Sequence, residues 1–491
     1  MIYAHNIYIV PLKDTIFPIF IIILFSGAIF GISKIIFKTW KKAGIITSII
    51  IALMFSYGHI YTQIGGFTIG SFVIGRHRYF IIPYIITLVI SSYYIFKTKR
   101  KLDNATKIAN TIAFSLILLV FINIGTYLIE NDTSSLNQIL QNPLEKENFV
   151  ISPNFGESSS KPDVYYIVLD AYSGYESLKR DLGFDNKEFL DGLESRGFYI
   201  VPNSHSNYAA TILSIPSTLN MKYYNDLAEE LGKDSQEWHP LFKVWDKNEV
   251  MRNFKVSGYT TINFEKPIYD QEADHTLCKS NSIIPNNELM SVISKVSIFE
   301  HLTYAIIEQE EREGILCIFK KLSEVRNEFE GPIFTHAHMN IPHPPYLFGP
   351  NGEHIIYKPY HDVDEIDGER YLGTVQYANK RILEIIDNLQ RQDEHPVIIL
   401  QSDHGSDFNN FDWDNPTEDM IKQRISNLNA IYFPDGGNEH LYEEITPVNT
   451  FRVLFNVYFN STYPILEDKI YWSSYAKPYD FTDVTELVGK K

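Results

Sequence analysis

Residues 397–406 read VIILQSDHGS, an apolar run that ends in an acid, an imidazole and a glycine. The run is typical of a buried strand. In open α/β sheets, ligands bind outside the carboxyl ends of the strands, so Asp403 and His404 indicate a metal or phosphate site. The alternative is that Asp403 caps the next helix beside a solvated histidine. This stretch alone does not decide between the two, and the rest of the chain has to supply the partners.

From residue 161 onward, short runs rich in β-branched and aromatic residues alternate with amphipathic segments. This alternation predicts an α/β fold, with a mainly parallel sheet sandwiched by helices. The predicted strands are 164–170, 198–204, 332–339, 395–403 and 427–434. The predicted helices include 186–197, ending at Gly197, then 368–392, and 446–459 with Thr446 as N-cap, while residues 250–264 repeat the pattern of helix, glycine and strand.

Four strongly apolar runs precede this region, at residues 15–37, 43–61, 79–96 and 108–129. Each is close to the length of about 20 residues that crosses a bilayer as a helix. Helices buried in a protein core are the alternative interpretation, but the charges are confined to the gaps between the runs. We therefore predict an all-α transmembrane domain of four helices over residues 1–130. A cleavable signal peptide fits poorly, because the chain has no basic start and no small-residue cleavage site after the first run.

Basic residues set the predicted orientation of these spans. They crowd the gaps after the first and third runs: Lys34, Lys38, Lys41, Lys42, Lys97, Lys99, Arg100, Lys101 and Lys107. By the positive-inside rule these gaps are cytoplasmic, so everything after residue 130 faces outside. We expect a multi-pass protein of the cell membrane, a polar linker over 131–160 and an extracytoplasmic domain over 161–491.

Charge and cysteine content restrict the partners. The 491 residues carry a formal net charge of −17, which argues against nucleic acid as a partner. The two cysteines, Cys278 and Cys317, are not spaced as a zinc or redox pair. Outside the cytoplasm they could form one disulfide, a question that the sequence leaves open together with the oligomeric state.

Several predicted strand ends carry acids and imidazoles. Asp170 ends the first strand, and His336 and His338 lie two apart, hence on one face of their strand, with His343 just beyond. The carboxyl ends of parallel strands meet at one edge, where Asp403 and His404 also lie. Carboxylate oxygens and imidazole nitrogens suit Zn²⁺ or Mn²⁺, with Mg²⁺ or Ca²⁺ as further options.

A nucleophile is available in the segment SNYAATILSIPSTLN, residues 206–220, which opens a helix. Free backbone N–H groups and the positive dipole end of a helix favour a phosphate or an oxyanion there. A bound cation would activate a hydroxyl such as that of Thr211. The alternative role for Thr211 is to cap its own helix.

The order of these motifs resembles the alkaline phosphatase and sulfatase-like superfamily over about residues 161–475. The membrane-anchored branch, with the lipoteichoic acid synthases and the phosphoethanolamine and phosphoglycerol transferases, is the most similar. This resemblance implies Thr211 as the nucleophile. It also implies a metal bound by Asp170, Thr211, Asp403 and His404. The histidines of HMNIPHPPY, His338 and His343, would bind substrate.

The sequence departs from sulfatases at the nucleophile. Their signature C/S-x-P-x-R is missing, because Thr211 is followed by Ile-Leu-Ser-Ile. An ordinary sulfatase is therefore doubtful, and Ser214 is the alternative nucleophile. His336 and Asp407 do not complete a second metal set, so we expect one cation.

The resulting hypothesis is a membrane-bound, metal-dependent phosphoryl-group transferase or phosphodiester hydrolase. It would act on lipid- or glycan-linked phosphodiesters at the outer face of the membrane through Thr211. Two alternatives are a sulfuric ester hydrolase on surface glycans and a catalytically inactive sulfatase-like module in cell-surface polysaccharide assembly. The insert over 265–330 is expected to shape the acceptor side.

Overall fold

The computed structural model describes residues 7–8, 10, 12–64, 68–69, 72–73, 77–130, 161–264, 273–279, 288–356, 364–393, 395–408 and 411–489. The predicted linker over 131–160 and part of the insert over 265–330 lie outside the described residues.

The chain divides into two compact units. The first comprises Met1–Gln138, Ser282–Ile307 and Lys358–Asp362; the second comprises Ile139–Asn281, Glu308–Tyr357 and Val363–Lys491. The boundaries predicted at 130 and 161 remain predictions. The sequence did not indicate that residues 282–307 group with the amino-terminal helices.

Four helices of the first unit are long and apolar enough to cross a membrane. They are α1 (Ile16–Phe37), α2 (Trp40–Ile64), α3 (His77–Lys97) and α4 (Asp103–Glu130). Large apolar side chains on their surfaces are exposed, such as Ile35 at 79% and Ile129 at 81%. Helices that are apolar all round with exposed apolar faces suit a lipid environment. The four runs predicted from the sequence coincide with these helices.

The second unit is built on a seven-stranded sheet within the described residues. Its strands are β1 (Val164–Leu169), β2 (Tyr199–Ile200), β3 (Thr260–Phe264), β4 (His275–Leu277), β5 (Ile333–Met339), β6 (Val397–Gln401) and β7 (Asn429–Tyr432). They lie in the order β2-β7-β6-β1-β5-β3-β4. Strand β1 pairs in parallel with β5 and β6, while β7 is antiparallel to both β6 and β2. The mainly parallel sheet is confirmed.

The helices that follow the four apolar ones are, in chain order, α5 (Tyr175–Leu182), α6 (Lys187–Glu194), α7 (Thr211–Asn220), α8 (Leu227–Leu231), α9 (His239–Asp246), α10 (Glu249–Val256), α11 (Glu288–Lys295), α12 (Glu300–Glu328), α13 (Asp364–Gln392), α14 (Glu418–Ile425) and α15 (Pro447–Tyr458). Of these, α11 lies in the first unit, and α12 begins there and continues into the second. Three 3₁₀ turns (Leu12–Thr15, Gly437–His440, Glu486–Val488) and two short β-pairs (Thr68–Ile69 with Phe72–Val73, Tyr471–Trp472 with Thr482–Asp483) complete the described elements.

Apolar spacing explains how α13, a helix of 29 residues, covers the sheet. On α13 the buried residues recur every three or four positions, at Tyr371, Val375, Ala378, Ile382, Ile385 and Leu389. This spacing makes one apolar stripe on a helix of 3.6 residues per turn. The stripe joins the core formed by the strands, including Ile167 and Leu400.

Two predicted helix ends differ in detail. The helix predicted to end at Gly197 ends at Glu194, with Ser195 as C-cap, and Gly197 takes a left-handed φ of +86° in the following turn. Thr446 does occupy the N-cap of α15, but its hydroxyl donates to Asp468 Oδ1 at 2.6 Å. Its side chain therefore anchors a neighbouring loop and does not cap the helix.

Residues near α11 bond directly to the backbone of α2. Gly58 N–H donates to the Val296 carbonyl, and Ile298 N–H donates to the Met54 carbonyl, each at 3.1 Å. Both pairs lie within the first unit. Part of the insert is thus bound to a predicted membrane span.

Cys278 and Cys317 form a disulfide, which answers the question that the sequence left open. Cys278 follows the edge strand β4, and Cys317 lies in α12. The two cysteines are 39 residues apart in the sequence, so the disulfide closes a long loop. It also holds the edge of the sheet against α12.

Replacing Cys278 by Ser should lower the free energy of unfolding by about 2–4 kcal/mol, because the unfolded chain regains the entropy that the cross-link removes. Urea unfolding of the second unit, followed by tryptophan fluorescence, measures this. A reductant should reproduce the loss in the wild type and leave the Cys278→Ser/Cys317→Ser protein unchanged. Maleimide labelling of both thiols in the unreduced native protein would contradict the bond.

Candidate active site

Three neighbouring strands end at the same edge of the sheet. Strands β6, β1 and β5 run parallel, with Val168 opposite both His338 and Gln401. Asp170 therefore comes out beside His338, and Asp403 lies two residues beyond β6. Single ligand atoms of Asp170, His338 and Asp403 all lie within 4.8 Å of one another. The structure thus brings these predicted residues together.

The Thr211 hydroxyl faces this cluster. Ala210 occupies the N-cap of α7, and Thr211 is the first helical residue, so it does not cap its helix. Its Oγ1 donates to Asp403 Oδ2 at 2.7 Å and lies 2.9 Å from His404 Nε2. A hydroxyl at the start of a helix, bonded to a buried carboxylate, is arranged as a nucleophile requires.

Backbone groups fix the Asp403 carboxylate. Its Oδ1 accepts the N–H of Ala171 at 3.1 Å and the N–H of His404 at 2.9 Å. The other oxygen, Oδ2, is therefore directed at Thr211. A carboxylate that accepts backbone N–H bonds is pre-organised in its ionised form.

His404 presents an unprotonated nitrogen to the site. Its Nδ1 lies 2.9 Å from the carbonyl oxygen of Gly405, and since a carbonyl can only accept, Nδ1 carries the hydrogen. The Nε2 lone pair then faces Thr211. Burial, assisted by the nearby charge of Arg424, lowers the pKa of His404 to about 4, so the ring is neutral at pH 7.

Asp170 carries an ionised carboxylate and is buried, with only 7% of the residue's surface exposed. Burial alone would raise its pKa, but His343, His338 and His404 hold the pKa of Asp170 well below its usual value. Its Oδ2 lies 3.2 Å from His338 Nε2 and its Oδ1 3.7 Å from His404 Nε2. Among the described residues, Oδ1 has no hydrogen-bond partner.

The two predicted substrate histidines occupy different places. His338 lies on β5 against Asp170, within the group that could hold a cation. His343 lies in the loop after β5, half-buried, with Nδ1 2.6 Å from the Pro344 carbonyl. Their assignment to substrate stays a prediction.

The alternative candidates have other partners. The Ser214 hydroxyl is buried and donates to the Asp403 carbonyl at 2.6 Å, so it points at the backbone. His336 is fully buried and stacks on Tyr166 with ring centroids 5.3 Å apart. Asp407 Oδ2 lies 3.5 Å from Arg424 Nη1. None of these arrangements adds to the cluster around Asp170.

Arg424 is the residue that sequence reasoning missed. It belongs to α14, whose sequence EDMIKQRI is typical of a solvated helix, yet its side chain is only 2% exposed. Its Nη2 donates to His404 Nε2 at 2.9 Å. No local pattern distinguishes it from an exposed arginine, because only the packing of α14 brings it to the site.

The donor set suits a divalent cation. Lone pairs of Asp170 Oδ1, Asp403 Oδ2, His404 Nε2 and Thr211 Oγ1 converge. The Thr211 hydroxyl gives its one hydrogen to Asp403, and His404 Nε2 is bonded to Arg424 instead. Converging carboxylate, imidazole and hydroxyl lone pairs, with Asp170 Oδ1 lacking a hydrogen-bond partner among the described residues, are the chemistry of a site for Zn²⁺ or Mn²⁺.

Gly405 is needed for space. A Cβ at this position would lie 2.3 Å from the Gln423 carbonyl oxygen and 2.5 Å from that of Ser426. The N–H of Gly405 donates to the Arg424 carbonyl at 2.6 Å. The glycine after Asp-His therefore allows the end of α14 to approach the site and bring Arg424 to His404.

Comparison with solved structures finds similar folds. The C-terminal periplasmic domain of EptC from Escherichia coli, in complex with Zn, matches with 12% identity and a TM-score of 0.46, covering 68% of this chain and 97% of that one. The integral membrane lipooligosaccharide phosphoethanolamine transferase A (EptA) from Neisseria meningitidis matches with 11% identity and a TM-score of 0.40, covering 82% and 79%. An alkaline phosphatase superfamily protein from Vibrio parahaemolyticus matches with 10% identity and a TM-score of 0.41, covering 70% and 81%.

These are the kinds of protein that the order of motifs resembles. No protein-family model and no curated protein matches the chain. At such low identities the likeness concerns the fold, so the function has to be argued from the residues of the site itself.

Replacing Gly405 by Ala should destabilise the second unit by about 1–3 kcal/mol, since the added methyl group must push two backbone carbonyls away. It should also weaken Zn²⁺ binding, because His404 is the adjacent residue. Thermal unfolding and metal titration measure both effects. Gly314→Ala in α12, where an added Cβ meets nothing within 4 Å, is the control and should gain up to about 1 kcal/mol. Equal behaviour of the two variants would contradict this account of Gly405.

Acid should destabilise the protein partly through His336. Burial lowers the pKa of His336 from 6.5 to about 3, so between these values the unfolded chain binds a proton that the folded chain does not. Stability should therefore fall as the pH drops below about 6.5, by about 2 kcal/mol at pH 5 for this residue. Urea unfolding at pH 7 and at pH 5 measures how much the free energy of unfolding falls between the two pH values. This fall should be smaller by about 2 kcal/mol in His336→Phe than in the wild type. The exposed His395→Phe should behave like the wild type, and an unchanged pH dependence in His336→Phe would contradict the prediction.

Proposed function

We propose that the chain is a membrane-bound, metal-dependent phosphoryl-group transferase or phosphodiester hydrolase that uses Thr211 as its nucleophile. The observation that carries the proposal is the position of the Thr211 hydroxyl. It lies 2.7 Å from a buried carboxylate and 2.9 Å from a neutral imidazole nitrogen, at the first residue of a helix. This arrangement supports attack on an electrophile that carries negative charge.

Three residues would hold the cation: Asp170, Asp403 and His404. When bound, a divalent cation favours the ionised form of the Thr211 hydroxyl and offsets charge that develops on phosphoryl oxygens. The ionised Asp170 and the neutral His404 are already in the protonation states that such ligands need. His338, in contact with Asp170, either orients that carboxylate or joins the ligands.

The reaction follows from these positions. Thr211 Oγ1 would attack phosphorus after its proton passes to solvent, and the bond from phosphorus to the leaving oxygen would break, while Asp403 Oδ2 keeps its place next to Oγ1 as a cation ligand. The N–H groups of Thr211 and Ile212, at the start of α7, would be the backbone donors available to phosphoryl oxygens, because those of Leu213 and Ser214 donate to the Ala210 carbonyl. His343, in the loop beyond β5, would protonate the leaving oxygen. The oxygen of an acceptor hydroxyl or of water would then attack the same phosphorus and pass its proton to His343, and the bond between phosphorus and Thr211 Oγ1 would break.

A lipid- or glycan-linked phosphodiester is the proposed substrate class. Predicted membrane spans would keep the enzyme at the surface where lipid-linked donors reside. The Cys278–Cys317 disulfide accords with an oxidising compartment, and hence with an outward-facing domain. The sulfatase alternative has less support, because the hydroxyl that contacts Asp403 Oδ2 belongs to a threonine and the nearby Ser214 is bonded to the backbone.

Intact mass spectrometry of the full chain, purified from its native membrane, tests the nucleophile. The wild type should carry a covalent phospho-substituent that Thr211→Ala lacks, since Thr211 is the hydroxyl that contacts Asp403 Oδ2 among the described residues. The mass of the adduct identifies the transferred group. Phosphodiester cleavage, followed with bis-p-nitrophenyl phosphate, should fall by about 1,000-fold or more in the same variant.

Ser214→Ala is the matched control and should keep both the adduct and the cleavage. An adduct that persists in Thr211→Ala would contradict Thr211 as nucleophile. Turnover of p-nitrophenyl sulfate in preference to the phosphodiester would instead support the sulfatase alternative.

A further inference from the structure

The Arg424 guanidinium and a cation would need the same atom. Arg424 Nη2 donates to His404 Nε2 at 2.9 Å, and the other ring nitrogen of His404 is engaged with the Gly405 carbonyl. A neutral imidazole nitrogen has one lone pair, directed in the plane of the ring. It can accept one N–H or bind one cation. A cation bound through His404 therefore breaks this hydrogen bond.

The rest of the guanidinium is held in place. Arg424 Nε donates to the Ala209 carbonyl at 2.8 Å, and Nη1 donates to that of Gly405 at 3.2 Å. The central carbon of the guanidinium, Cζ, lies 4.7 Å from the ring centroid of Trp413. The Trp413 ring in turn stacks on Trp472, with ring centroids 5.3 Å apart. Because these contacts do not involve His404, the group stays beside the site when Nη2 is released.

A released Nη2–H needs a new acceptor. It is part of a buried cation, and leaving such a donor without a partner is costly. The hydroxyl of Tyr475 lies 3.4 Å from Nη2, and Asp407 lies beside Nη1 at 3.5 Å. The first contact is long and the second involves the other nitrogen, so neither replaces the bond to His404.

The reacting group would lie within reach. Thr211 Oγ1 and Arg424 Nη2 each contact the same nitrogen at 2.9 Å, so they lie no more than two hydrogen-bond lengths apart. A phosphoryl group attached to Thr211 would bring its oxygens into that space. The planar, permanently charged guanidinium matches phosphate oxygens well.

We propose that Arg424 competes with the divalent cation for His404 Nε2 and, once displaced, binds the phosphoryl group that reacts with Thr211. Arg424 thereby links cation binding to phosphate binding: the phosphate-binding donor becomes available only when the cation is in place. This inference rests on the proposed function and adds to it a residue that makes the site selective for an anionic substrate.

The test is metal and phosphate binding by the full chain in detergent, with Arg424→Met. Removing both the competing donor and a buried positive charge should tighten Zn²⁺ binding by about tenfold or more. Affinity of the Zn²⁺-bound protein for inorganic phosphate should fall by about tenfold or more. A chromophoric chelator in competition measures the first, and isothermal titration calorimetry measures the second.

Two variants separate this role from a structural one. Arg424→Lys keeps the charge, so Zn²⁺ affinity should stay near that of the wild type while phosphate affinity falls. Arg452→Met removes another buried arginine, whose guanidinium donates to the carbonyls of Met221 and Pro464, and should change neither affinity. If Arg424 only supports the fold, Arg424→Met would weaken Zn²⁺ binding.

The outcomes are distinct. Tighter Zn²⁺ and weaker phosphate binding in Arg424→Met support the inference. Unchanged or weaker Zn²⁺ binding in that variant overturns it and leaves the proposed function standing. A wild type that binds no Zn²⁺ or Mn²⁺, or binds either equally well after Asp170→Asn and Asp403→Asn, overturns both.

Discussion

Parallel pairing of β1 with β5 and β6 is the constraint on which the candidate site depends. Parallel strands end at the same edge of the sheet, so the register that sets Val168 opposite His338 and Gln401 also sets Asp170 beside the two other strand ends. The apolar core below this edge holds that register, since all six residues of β1 are buried. A slip of one residue would turn the side chains to the other face.

The charged side chains at this edge of the sheet have polar or aromatic partners in direct contact. Asp403 receives two backbone N–H groups, His404 stays neutral, and Arg424 is enclosed by carbonyls and an indole ring. Buried ionised groups are stable only when each has partners. Asp170 differs from the others because one of its oxygens lacks a hydrogen-bond partner among the described residues. This oxygen lies 3.7 Å from His404 Nε2, on the side where the proposed cation would bind.

The surroundings fit chemistry on a surface-bound substrate. Four helices with the length and composition of membrane spans precede the α/β unit, and a disulfide fastens the edge of its sheet. Part of the insert, near Val296 and Ile298, bonds to α2 in the first unit. In the function proposed above, Thr211 would keep the transferred group, so the donor could leave before the acceptor arrives.

Composition and order alone determined the four spans, the alternation of strands and helices, and the strand ends at Asp170 and Asp403, because hydrophobic period and strand chemistry are local properties. Tertiary structure decided what depends on distant segments. It brought Thr211 Oγ1 to Asp403 and turned Ser214 to the backbone. Only packing of α14 against Gly405 revealed Arg424, since nothing in the helix sequence distinguishes a buried arginine from a solvated one.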